Sequence, residues 1–147
     1  MPAELPVAVV AALRQFAADG GVAVVATADA GGRPHTAPFG SVRAVSQSAL
    51  RFGCDRRHDT YANLVRNPAV VVCLLLPPHA AVSVSGRASV ILETMETVET
   101  DAVVEVAIEH VKDDMLPGAS IVTAATYAVP DELAEFVERY GTEVEGA

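Results

Sequence analysis

The most apolar run in the chain, AVVVCLLL at residues 69–76, is shut at both ends by proline, at Asn67-Pro68 and at Pro77-Pro78. It falls well short of the roughly 18 apolar residues a membrane span requires. A run of this length, rich in β-branched residues, reads as a central strand buried on both faces. A chain built around such a strand has to supply neighbours for it, and the sequence offers several. Residues 22–28 (VAVVATA) read as a buried strand, and Asp29-Ala30-Gly31-Gly32 as a hairpin turn. Residues 33–39 (RPHTAPF) return from it. Pro34 and Pro38 cannot donate to a ladder, so this strand belongs at an edge, at a bulge, or with its backbone facing a ligand. Residues 42–45 and 49–54 continue the sheet. Residues 82–92 (VSVSGRASVIL) and 102–112 alternate as strands with one wet face, with a bulge expected at Gly86. A last strand is read at 121–129.

Helices close the two ends. Leu5, Val9, Leu13 and Phe16 share one face of a helix over 4–18, which Asp19-Gly20-Gly21 stops. A final helix over 130–141 places Leu133, Phe136 and Val137 on its apolar side and ends at Gly141. Together these describe one domain over 1–147, mainly β: an antiparallel barrel over 22–129 with helical caps. Hydrophobic residues make up 51% of the chain. With no membrane span to absorb them, they point to a subunit interface, most simply in a two-fold homodimer.

The formal charge is −9, yet residues 33–66 hold six arginines against two aspartates. An acidic chain is a poor partner for nucleic acid or an anionic membrane surface. The local excess of arginine is centred on Asp55-Arg56-Arg57-His58, between the strand at 49–54 and a short helix that ends before Asn67-Pro68. A cationic turn feeding a helix start suits an anion, because free amides and the helix dipole add to the full charges. Asp59 or Thr60 is expected to cap that helix. The four histidines are dispersed, and no C-x-x-C, G-x-S-x-G, P-loop or G-x-G-x-x-G pattern is present. No metal site is expected. Cys54 and Cys73 lie in strands and read as reduced thiols of a cytoplasmic protein without an export signal.

The segments VAVVATADAGGRPHTAPFG, ALRFGCDRRHDTYANLVRNPAVVVCLLL and VSVSGRASVI resemble, in order and spacing, the pyridoxamine 5′-phosphate oxidase-like, FMN-binding split-barrel superfamily. The matching features are Ala26-Thr27, Gly32-Arg33-Pro34, Pro38, Leu50-Arg51-Phe52, Asn63-Leu64, Asn67-Pro68 with Val70, and residues 84–88. The resemblance implies a homodimeric split barrel with FMN in clefts between subunits. It implies a flavin phosphate at the turn into the short helix, near His58, Thr60, Tyr61 and Asn63. It implies an isoalloxazine ring bordered by Thr36, Ala37 and Pro38, and a ribityl chain near Cys54. The Arg-Lys pair of the family's oxidases aligns on Asp59-Thr60 here, so Arg56 and Arg57, with the Thr60 hydroxyl, are expected to replace its charge. A family glutamine near the flavin falls on Ala81. The chain has no tryptophan and ends in an acidic helix, unlike the Arg-, His- and Trp-rich end of those oxidases. The expected function is a flavin-dependent oxidoreductase or flavin reductase acting on something other than pyridoxamine phosphate. The alternatives are the same fold holding the deazaflavin F420 or haem, and a non-catalytic flavin-binding sensor.

Overall fold

The computed structural model describes residues 3–147. The first helix, α1 (Val7–Ala18), begins three residues later than expected. Pro6 sits at its N-cap with φ −56° and ψ 145°, outside the helical region, and leaves Leu5 buried ahead of the helix. Seven strands follow: β1 (Ala23–Ala28), β2 (Pro34–Phe39), β3 (Arg43–Ala44), β4 (Ala49–Asp55), β5 (Ala69–Leu76), β6 (Ala80–Leu92) and β7 (Asp101–Asp113). Between β4 and β5 lies α2 (Asp59–Arg66). They form one sheet in the order β2-β1-β5-β6-β7-β4-β3, antiparallel throughout.

The chain itself forces this sheet to curl. Laid flat, seven strands would set the two edges roughly 29 Å apart. Yet the edge strands β2 and β3 are consecutive, joined only by residues 40–42, a link that spans at most roughly 14 Å. The sheet therefore bends back on itself and leaves a seam, with no ladder between β2 and β3. Phe39 of β2 bridges the seam to Phe52 of β4, their ring centroids 4.9 Å apart. Leu50, Phe52, Leu74, Val25, Val72, Val84, Val104 and Val106 fill the concave side, each completely buried. The two prolines of β2 sit on an outer edge, where a missing N–H breaks no central ladder. The β6–β7 register shifts between Ser85 and Gly86, the irregularity expected at that glycine.

Three sequence expectations are corrected. β5 is central, but only one of its faces is buried: Val70, Val72, Leu74 and Leu76 point inward, while Val71 and Leu75 are 37% and 49% exposed. The sheet has a single concave core, so period-2 geometry turns alternate residues outward whatever their polarity. Residues 121–129 form no strand. They run beside residues 20–22, just ahead of β1, with one isolated bridge between Gly21 and Thr126, and Val122 stays 88% exposed. The last helix is preceded by a 3₁₀ turn (Asp131–Leu133) and becomes α3 (Ala134–Gly146), running past Gly141. Its buried positions are Gly141 and Val144, whereas Leu133 and Val137 remain exposed. Gly141 does not stop the helix. It makes room for Arg43, whose Nη2 would lie 2.9 Å from any Cβ placed there. No helix among the described residues is long and apolar enough to cross a membrane.

Candidate functional site: a cleft beside the turn into α2

At the end of β4 the chain turns on Asp55. Its Oδ1 accepts the Arg57 amide at 2.8 Å, and its carbonyl accepts the His58 amide at 3.1 Å. This aspartate turn, rather than Asp59 or Thr60, organises the start of α2. His58 occupies the N-cap position in extended conformation, with no side-chain cap. The amides of Asp59 and Thr60, the first two of the helix, consequently have no hydrogen-bond partner among the described residues.

The two arginines of the turn are placed differently from the expectation that they are free to grip an anion. Arg56 turns inward, donating to the carbonyls of Glu93, Glu99 (2.7 Å) and Asp101 (3.1 Å). Glu93 and Glu99 lie in the loop between β6 and β7, where no ladder serves their carbonyls and the guanidinium supplies the donor, while the Asp101 carbonyl at the start of β7 also accepts the Met95 amide at 2.9 Å. Arg57 binds Asp55 through Nε (3.0 Å) and Nη2 (2.7 Å). That contact, the largest influence, holds the Asp55 carboxyl well below the usual carboxylate range. With 74% of the Arg57 side chain exposed, the pair is open to exchange with another anion.

Beside this turn is a cleft of about 700 Å³. One wall is the end of β2 and the residues after it (Ala37, Pro38, Phe39, Gly40, Ser41), with Gly53 and Asp55 from β4 and Asp101 from β7. The other wall is contributed by the C-terminal segment, through Tyr127, Phe136 and Tyr140. Of the residues expected at a site, Ala37, Pro38 and His58 line the cleft. Thr36, Cys54, Arg56, Arg57, Thr60, Tyr61 and Asn63 do not. Thr36 faces outward across from Ala26, Tyr61 packs against the core, and buried Asn63 donates to Thr27 Oγ1 at 3.0 Å. Ala81 is buried in β6.

Sequence reasoning missed Arg43, Asp101, Tyr127 and Tyr140. Arg43 is the cation at the cleft, mostly buried, donating to the carbonyls of Gly40 and Val42, with Glu145 at 3.5 Å. Tyr140 donates to Asp101 Oδ2 at 2.5 Å. Burial first, and the Asp101 contact second, push the phenol far above its ordinary value. Burial, followed by the nearby Asp101 and Asp55 charges, pushes the Cys54 thiol up to about 12 from 9.0. Both groups are therefore neutral when folded and ionise more readily when unfolded, so the folded state binds the extra protons. Stability is full below pH 9 and is lost progressively as the pH rises toward 12. The melting temperature is expected to fall over that interval, and to fall less in Cys54→Ala and Tyr140→Phe. Equal slopes in all three proteins would contradict the assignment.

No three His, Cys, Asp or Glu side chains among the described residues are placed to hold a metal ion. A model of the pyridoxamine 5′-phosphate oxidase family matches residues 9–124. No curated protein matches the sequence. Among solved structures, a candidate pyridoxamine 5′-phosphate oxidase from Lactobacillus delbrueckii is 25% identical, with TM-score 0.63 over 76% of this chain and 95% of that one. A pyridoxamine 5′-phosphate oxidase-related, FMN-binding protein from Nostoc punctiforme is 15% identical, with TM-score 0.61 over 76% and 83%. An F420 reductase is 16% identical, with TM-score 0.56 over 67% and 94%. These last two likenesses show the fold alone. The aromatic wall of the cleft lies beyond residue 124, outside the family match. The turn and both sides of the seam lie within it, and the chain belongs to the pyridoxamine 5′-phosphate oxidase-like, FMN-binding split-barrel family.

Proposed function

We propose that this chain binds FMN in the cleft and serves, as a homodimer, as a flavin-dependent oxidoreductase or flavin reductase for a small molecule other than pyridoxamine phosphate. One observation carries the reading. The cleft sits where the end of β2 meets the turn into α2, both within residues 9–124 that match the pyridoxamine 5′-phosphate oxidase family.

The residues present fit the cofactor at both ends. Pro38, Tyr127, Phe136 and Tyr140 offer apolar and aromatic surface to a flat ring. At the turn beside the cleft, the open amides of Asp59 and Thr60 and the His58 side chain give a phosphate its donors, and Arg57 adds its guanidinium by exchanging Asp55 for the phosphate. FMN, when bound, supplies hydride and electron transfer. The chain's own residues bind and orient it, and α3 shields one side of the cleft from water. Tyr140 keeps its proton on Oη, directed at Asp101, at neutral pH. The carboxylates of Asp55 and Asp101 disfavour a second phosphorylated molecule in the same cleft, which argues against pyridoxamine phosphate as substrate. The homodimer is supported by the outer face of β1 and β5, where Val24, Val71 and Leu75 are exposed side by side.

Titrating the purified protein with FMN tests this reading. Quenched flavin fluorescence with a shifted visible band, and reduction of the bound flavin by a nicotinamide donor, are expected. Unchanged FMN fluorescence at saturating protein would overturn it. A second reading, a non-catalytic flavin binder, is favoured by the cleft's two carboxylates, Asp55 and Asp101, and by Arg43, the one arginine among the described residues that line it, being already paired. Bound flavin that no nicotinamide donor reduces selects that reading. The F420 reductase relative makes a deazaflavin the alternative occupant, recognised by its own absorption band. A Soret band would identify haem, for which His58 is the sole histidine at the cleft.

A further inference from the structure

A second pocket, of about 530 Å³, lies between the turn at 29–33 and α2, and it shares no lining residue with the cleft. Helical spacing puts Asp59, Asn63 and Arg66 on the side of α2 that borders it. Arg33 and His35 approach from the hairpin.

The six arginines between residues 33 and 66 divide cleanly. Arg43 is held by Glu145 and two carbonyls, Arg51 by Glu105 at 2.8 Å and the Glu145 carbonyl at 2.7 Å, Arg56 by loop carbonyls, and Arg57 by Asp55. The guanidinium groups of Arg33 and Arg66 have no hydrogen-bond or ion-pair partner among the described residues, and both border this one pocket. Of the two carboxylates that line the pocket, Asp29 and Asp59, Asp29 is already engaged. Its Oδ1 accepts the amides of Gly31 and Arg33, each at 2.9 Å, and its Oδ2 faces His35 Nε2 at 2.9 Å. Two like charges at the rim of one concave volume repel unless an anion lies between them. Their forked N–H groups match an oxyanion in bidentate geometry.

We infer that this pocket binds the oxyanion group, phosphate or carboxylate, of a small organic molecule, held by Arg33 and Arg66. The surplus of positive charge visible in the sequence thus serves a second site, on the other side of the first turn of α2 from His58.

The test uses the full chain, titrated with glycerol 3-phosphate, pyrophosphate and succinate and followed by amide NMR. Saturable shifts at Gly31, Arg33, Asn63 and Arg66 are expected. Affinity should drop about tenfold in each of Arg33→Gln and Arg66→Gln, the scale of one charge-assisted contact. Both positions are exposed, so the variants should keep the parent melting temperature. Arg87→Gln, on β6 and away from the pocket, should leave affinity unchanged. A response to the phosphates alone assigns a phosphorylated ligand, and a response to succinate alone assigns a carboxylate. No saturable response to any of the three, or undiminished affinity in the double variant, overturns the proposal. FMN titration of the same double variant keeps the two sites apart. Unchanged flavin affinity is expected, and its loss would merge this pocket with the flavin site and overturn it as a separate one.

Discussion

Phe52→Ala is expected to destabilise the protein by about 3–5 kcal/mol, a large share of the roughly 5–15 kcal/mol that holds a domain of this size together. Phe52 is completely buried in the middle of β4, opposite Val104 of β7. Its ring packs at 56° against Phe39, across the seam where no backbone ladder joins β2 to β3 or β4. Truncation leaves a cavity in the core and also removes the contact that holds the end of β2 to β4. That end of β2 borders the cleft, so flavin affinity should weaken together with stability. Phe52→Leu retains most of the apolar volume and should cost far less, on the order of 1.5 kcal/mol. Urea unfolding of the two variants decides the matter. A loss below 1.5 kcal/mol for the alanine variant would mean that the seam is closed by something other than this aromatic pair.

The elements that could be read from the sequence are those whose cause is local. Pro34 and Pro38 lack N–H groups, which forces an edge strand, and β2 is one. Asn67-Pro68 ends α2 because the residue before proline leaves the helical region. Ala37, Pro38 and His58, which the family resemblance put at a cofactor, line the cleft. What escaped depends on partners distant in the chain. Residues 121–129 are rich in strand-forming side chains, but a strand also requires an edge that accepts it, and among the described residues this segment makes only the isolated bridge between Thr126 and Gly21. Val71 and Leu75 look like core residues in isolation, and only the curl of the sheet shows that they face outward. The role of Arg56 depends on carbonyls 37 to 45 positions away, in an irregular loop and at the start of β7, which no composition reveals. Tyr127 and Tyr140 reach the cleft from a segment with no local sign of chemistry. Charge counting cannot tell a paired guanidinium from a free one: of the two arginines it centred on, Arg56 is held by backbone carbonyls and Arg57 by Asp55.

Gly53→Val should release α3 from the barrel while leaving the sheet folded. A Cβ at Gly53 would lie 2.0 Å from Tyr140 Oη and 2.6 Å from its Cε1, so the ring cannot stay where it is. Valine itself suits β4, where Gly53 pairs with Val103 of β7. The strain therefore falls on the tyrosine, which loses its bond to Asp101 and its place in the cleft wall. Overpacking of this kind costs about 1–3 kcal/mol. α3 would then be held by Val144, packed with Met95 and Val103, by Glu143, which accepts the amides of Glu96 (2.6 Å) and Thr97 (2.9 Å), and by Glu145 beside Arg43. Protease cleavage within residues 119–146 should rise sharply, with the barrel strands still protected from amide exchange. Flavin affinity should change in the same variant, because one wall of the cleft has moved. Tyr140→Ala should make the valine substitution nearly neutral, since the two side chains compete for one space, and this strong non-additivity is the decisive readout. If Gly53→Val instead costs as much in the Tyr140→Ala background as in the parent, the tyrosine does not seal this side of the cleft.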